Sequence, residues 1–132
     1  MLYYNKGNVE VVYPELSYKI VGVLLDVYNE LGYGYQEKFY ERATAKILTS
    51  KSINYVRQKS YKVTINNEFI GIYYLDFLIE NKIVLELKKG DYFPKQNIDQ
   101  VNTYLHATGM KLGMLANFTS HGVKFKRLVN IN

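Results

Sequence analysis

With 132 residues, 48% hydrophobic and 15% aromatic, the chain has enough apolar material for one compact domain with a real core. It has no cysteine, no signal-like apolar start and no apolar run of membrane-spanning length, which excludes a disulfide framework and thiolate chemistry and leads us to expect a soluble, cytoplasmic protein with no membrane partner. The net charge of +5 is unevenly spread: residues 42–67 hold six bases and no acid and residues 100–132 are net +4, whereas 68–99 between them are net −2.

In chain order, Pro14 at a first-turn position and Leu16, Ile20, Val23, Leu24, Val27 and Leu31 at helical spacing predict a helix that stops at Gly32. A second helix is expected over 37–50, with Tyr40, Ala43 and Ile47 on one stripe. Four strand-like runs follow at 53–58, 61–65, 69–79 and 83–87, with Asn66-Asn67 as a tight turn. After a loop at 90–94 come a helix over 95–108 that ends at Gly109 and two strands, 112–117 and 123–129. The order predicts an α/β domain with a mixed central sheet flanked by helices.

The stretch Tyr74-Leu-Asp-Phe-Leu-Ile-Glu-Asn-Lys-Ile-Val-Leu-Glu-Leu-Lys88 places Asp76, Glu86 and Lys88 in apolar strands, where charges seldom sit unless paired or bound to metal. If Glu80-Asn81-Lys82 is a three-residue connection, Ile79 pairs with Ile83, and Asp76 lies opposite Glu86 on one face, with Lys88 farther along it. Two like charges side by side oppose folding unless one takes a proton or a hard dication such as Mg²⁺ lies between them. A two-residue turn would put the acids on opposite faces. A strand-end or solvent-facing role for the acids, and a Lys88 that snorkels from a sheet edge, are the bland alternatives.

Asp76-x9-Glu86-x-Lys88 resembles the signature of the PD-(D/E)XK nuclease superfamily. Gly34-Tyr-Gln-Glu37-Lys-Phe-Tyr40, with Glu15-Leu-Ser-Tyr-Lys-Ile20, Gln100-x-x-x-Tyr104-Leu-x-Ala-Thr-Gly109, Asn117-Phe118 and Lys126-Arg127 in this order, resembles its GxxExxY family over residues 15–129. Gly-Tyr-Gly stands where Gly-Pro-Gly is commoner, and Leu75 where the superfamily name has proline; neither removes a chemical group. The resemblance implies a restriction-endonuclease-like core and a nuclease that hydrolyses phosphodiester bonds of nucleic acid, DNA ahead of RNA, with Mg²⁺ or Mn²⁺. Asp76, Glu86 and the Leu87 carbonyl would hold the ion, Lys88 would orient the attacking water, and Glu37 becomes a candidate third acid. A nucleic-acid-binding or assembly module that keeps the fold without turnover is the alternative.

Glu37 opens a helix, where the dipole alone favours a carboxylate. Gln100 and Tyr104, four apart, share a helix face suited to contacting substrate or supporting a ligand, although core packing explains Tyr104 by itself. Arg42, Lys46, Lys124, Lys126 and Arg127 are the candidate phosphate contacts on either side of the acidic centre, with plain solvated faces as the rival reading. His106 and His121 are isolated and expected at the surface, and a homodimer would suit cutting both strands of a duplex.

Overall fold

The computed structural model describes residues 12–130. Helices α1 (Pro14–Leu31) and α2 (Glu37–Ser50) precede strands β1 (Tyr55–Ile65), β2 (Glu68–Ile79) and β3 (Ile83–Lys89); α3 (Lys95–Thr108), β4 (Leu112–Thr119) and β5 (Gly122–Val129) follow. The five strands form one sheet in chain order, antiparallel throughout except for the parallel β3–β4 pair, whose crossover is α3. One core lies between the sheet and α1–α2, built on Ile20, Leu24, Tyr40, Leu48, Phe77, Leu85, Met114 and Phe118; the other lies under α3, built on Leu75, Val84, Val101, Leu105 and Leu115. This is the expected mixed sheet between helical layers.

Two details differ from the sequence expectation. The runs at 53–58 and 61–65 are a single strand, because Lys59 and Ser60 carry on the ladder opposite Leu75 and Tyr74. On α2 the buried stripe is Tyr40, Thr44, Ala45 and Leu48, with Ala43 and Ile47 only partly covered. Thr44 can be buried because its hydroxyl donates to the Tyr40 carbonyl one turn back, at 2.7 Å.

The alternation of side chains inverts midway along the β1–β2 hairpin. Tyr55, Phe77 and Ile79 pack in the α1–α2 core, whereas Tyr61, Tyr73 and Leu75 pack toward α3, although all are odd-numbered. The inversion falls at Gln58, whose φ of 50° is left-handed, and at its cross-strand neighbour Asp76. β3 pairs with β2 only from Phe77 to Ile79, so the rest of the hairpin projects as a two-stranded arm with Ile65, Phe69, Ile70, Ile72 and Tyr74 exposed. Its base is tied to α3 by the Tyr73 hydroxyl, which donates to the Gln100 carbonyl at 2.9 Å, and by Tyr61, wedged between Tyr73 and Tyr104.

α3 seats closely on β4 at Gly113, where an added Cβ would lie 2.5 Å from a Val101 methyl. Val101 is fully buried and β-branched, so its rotamer cannot turn away freely. Gly113→Ala is therefore expected to destabilise the fold by about 1–3 kcal/mol, read from denaturant unfolding; an unchanged midpoint would show that α3 shifts without strain.

Candidate active site

Glu80 and Asn81 both take left-handed φ values, 52° and 56°, and the Lys82 N–H donates to the Ile79 carbonyl at 2.9 Å, so the link between β2 and β3 has three residues and pairs Ile79 with Ile83. The same count sets Asp76 opposite Glu86. There the backbone ladder stops and the two carboxylates take the place of carbonyls. The Asp76 N–H donates to Glu86 Oε1 at 2.6 Å, and the Leu87 N–H donates to Asp76 Oδ2 at 2.8 Å. Each acid thus reaches across the gap to the main chain of the other strand, which fixes both without using all their lone pairs.

Burial dominates the electrostatics. Glu86 is only 7% exposed; burial raises its pKa and the adjacent Asp76 charge raises it further, against the opposing pull of the Asp76 N–H and Lys88. Asp76 is raised by burial as well, offset in part by the Leu87 N–H, by Gln58 and by Lys88. The two carboxyls therefore titrate as a pair, and burial together with their mutual repulsion favours one shared proton over two charges.

Two further residues at the site are not among the sequence candidates. Glu41, one turn after Glu37 on α2, adds a third negative charge that raises both acids. Gln58 bridges it to the pair: its amide nitrogen donates to both Glu41 oxygens at 3.1 Å and to Asp76 Oδ1 at 3.3 Å. Arg57 neutralises Glu41 from the same strand, with Nη2 3.0 Å from Oε2. The i,i+4 spacing from Glu37 was the one signal for Glu41; Gln58 had none, since its place depends on the kink at its own left-handed backbone.

Glu37 meets the amine rather than the acids. Its Oε1 lies 3.8 Å from Lys88 Nζ, and its Oε2 accepts the Lys89 N–H at 3.2 Å. Among the described residues no group of three or more His, Cys, Asp or Glu is gathered so as to hold a metal. Gln100 is one residue removed from the pair: its main-chain carbonyl holds the Tyr73 hydroxyl, whose pKa is raised by burial, by Tyr61 and by the Glu86 charge. Tyr104 is 4% exposed and edge-on to Tyr61, so it is a core residue, as the packing alternative for it has it, and its ring is not placed to contact substrate. The Leu87 side chain is buried in the α1–α2 core, so only its main chain is open to the site.

The basic residues divide in the same way. Lys88, Asn117 and Lys124 form one cross-strand row over β3–β4–β5, and Glu86, Leu115 and Lys126 form the next, so Lys124 and Lys126 share the sheet face of Glu86, two strands or roughly 10 Å away. Both lysines are exposed, as are Arg42 and Lys46 on α2. Arg127 points to the other face and donates to the Val12 carbonyl at 2.8 Å, which gives it a structural tie to the start of the described chain. His106 and His121 are exposed, as expected. A groove of about 360 Å³ lined by Asn54, Tyr55, Val56, Leu78, Glu80 and Asn81 lies at the β2–β3 turn, away from the acids.

A family model of the PD-(D/E)XK nuclease superfamily matches residues 14–128. The chain belongs to this superfamily. Its fold is also similar to the crystal structure of SSO0001, at 12% identity and a TM-score of 0.52, covering 86% of this chain and 66% of that one, just under two thirds of its length. That likeness supports the restriction-endonuclease-like fold. A search of the curated proteins finds no match. No helix among the described residues is long and apolar enough to cross a membrane.

The donor set suits a PD-(D/E)XK metal: two buried carboxylates that repel each other gain from a shared dication what they otherwise gain from a proton. This gives an expected result in EDTA. Because both pKa values are raised, the folded state holds more protons than the unfolded one from about pH 4, where ordinary carboxylates titrate, up to about 8 for Glu86. Stability therefore falls as pH rises through that window, by several degrees in Tm, and Mg²⁺ restores it at the alkaline end. A metal-free Tm that climbs from pH 5 to pH 8 would contradict the buried-pair electrostatics.

Proposed function

We propose that this PD-(D/E)XK protein, of the GxxExxY family, is a Mg²⁺- or Mn²⁺-dependent nuclease acting on nucleic acid, DNA in preference to RNA. The observation that carries the reading is the gap in the β2–β3 ladder, where Asp76 and Glu86 replace backbone acceptors and remain buried and repelling. Asp76, Glu86 and the Leu87 carbonyl would hold the ion, which when bound would polarise the scissile phosphate and acidify water. Lys88, steadied by Glu37, would orient the attacking water in line with the leaving sugar oxygen. Gln58 and Glu41 would keep Asp76 turned toward the ion. Lys124 and Lys126 would meet the phosphate backbone on the face of Glu86.

The non-catalytic reading draws on a specific observation: Glu37 is turned to Lys88, which leaves the acid pair without a third carboxylate ligand. Incubating the protein with plasmid, single-stranded DNA and RNA, with Mg²⁺, Mn²⁺ or EDTA, separates the two. Metal-dependent cleavage establishes the nuclease; binding without cleavage under every condition establishes the binder. A homodimer fits either reading, because the β2 edge at residues 69–74, on the side away from β1, has no strand partner among the described residues and no charge or proline to deter pairing, and sedimentation equilibrium would show a monomer if that edge stays open.

A further inference from the structure

Beside the acid pair, over the N-terminal end of α2, three aromatic rings are partly exposed and interleaved with cations. Tyr33, Tyr35 and Phe39 are 46%, 44% and 40% exposed and follow one another across the α1–α2 turn. The chain of contacts starts at the site itself. Lys89, next to Lys88, donates from Nζ to the Gly34 carbonyl at 3.4 Å and sits 5.5 Å from the Tyr33 ring centre. Tyr35 meets Phe39 edge-on at 6.0 Å, and the Phe39 ring carries Lys38 at 5.5 Å and Arg42 at 5.9 Å. Lys38, Arg42 and Lys46, spaced by four, continue down the exposed outer face of α2. Of the two acids in this stretch, Glu37 is engaged by Lys88 and by the Lys89 N–H, and Glu41 turns inward to Arg57 and Gln58, so each carboxylate is already met by a cation.

We propose that this strip is a track for a nucleic-acid strand with unpaired bases, which leads it over the start of α2 to Lys88 and the acid pair. The inference rests on the nuclease reading and deepens it by naming the substrate class as single-stranded or frayed ends. Cations alone would suit any nucleic acid, because a duplex presents its phosphates outward. Partly exposed rings gain further contact only when base faces are open to stack on them, and in a duplex those faces are already stacked. Rings interleaved with Lys and Arg therefore match the combined chemistry of an unpaired strand, base plus phosphate.

The test is binding in EDTA, where no cleavage interferes, using a short fluorescent oligothymidylate and a duplex of equal length. Wild type is expected to bind the single strand more tightly. Tyr33→Leu and Phe39→Leu keep apolar bulk at exposed positions while removing the ring; each should weaken single-strand binding roughly 10-fold or more and leave duplex binding unchanged. Lys38, Arg42 and Lys46 replaced by Gln should lower the slope of log affinity against log salt by roughly 0.7 for each phosphate no longer neutralised. Equal binding of single strand and duplex by wild type, or ring variants that bind the single strand as wild type does, would overturn the track even if the protein cleaves DNA. Ring-dependent binding without cleavage in Mg²⁺ or Mn²⁺ would leave the track standing and remove the nuclease. Binding to neither nucleic acid would end both readings and favour a protein partner for the strip.

Discussion

Lys88→Met is expected to lower the rate of metal-dependent cleavage by about 100-fold or more, a loss comparable to removing one pre-placed charge-stabilising group, while nucleic-acid affinity stays within a few-fold of wild type. The lysine stem lies in the row that continues through Asn117 to Lys124, and Met preserves its apolar length. What disappears is the ammonium that Glu37 holds at 3.8 Å and whose charge lowers the pKa of both acids. Arg should not rescue, because a planar fork cannot stand where the proposed mechanism needs a compact ammonium to orient one water. Single-turnover cleavage with saturating Mg²⁺ reads the effect, and a variant that cuts as fast as wild type would move the water-activating role to another group.

Glu86→Gln is expected to act in opposite senses on stability and on activity. In EDTA at pH 7 the native protein must either hold a proton on the buried pair or bear its repulsion, a cost that vanishes on unfolding, and Gln removes it, on the order of 2 kcal/mol and roughly 5–10 °C in Tm. The amide oxygen can still accept the Asp76 N–H, the bond that Glu86 Oε1 makes at 2.6 Å. Asp76→Asn relieves the same repulsion but gains less, because both Asp76 oxygens are in use, one by Leu87 and one by Gln58, and an amide supplies a single acceptor. With Mg²⁺ present the ranking reverses: wild type gains stability and the variant does not, since a neutral amide is a poor ligand for a hard dication. Calorimetric melts with and without Mg²⁺ check this, and a Glu86→Gln protein that melts below wild type in EDTA would mean that the pair is not under repulsion.

The centre of the site was legible because two local facts fix it. Three residues between Ile79 and Ile83 set the register, and the strand period then puts Asp76 across from Glu86. The helices were legible for similar reasons, since Gly32 and Gly109 mark their ends with left-handed φ values of 68° and 75°. What the sequence hid depends on places where a period breaks. Gln58 looks like an ordinary polar strand residue, yet its φ inverts the facing of the hairpin and brings its amide onto Asp76. Glu41 reads as a solvent-facing helix acid until that inversion delivers Arg57 and Gln58 to it. Tyr104 and Arg127 fail as surface contacts because sequence spacing assigns a face to a residue without saying what covers it; Tyr61 and the sheet beneath α3 cover the first, and the Val12 carbonyl engages the second.

Because Asp76 and Glu86 accept main-chain N–H groups instead of being met only by side chains, the protein carries its own spectroscopic gauge of the site. The amide protons of Asp76 and Leu87 resonate according to the charge on the oxygens they face, so in a ¹⁵N-resolved NMR titration two peaks, from neighbouring strands, should move together as the pair takes up a proton or a cation. Their paired movement would count occupancy directly in a protein that turns nothing over, with no substrate in the tube.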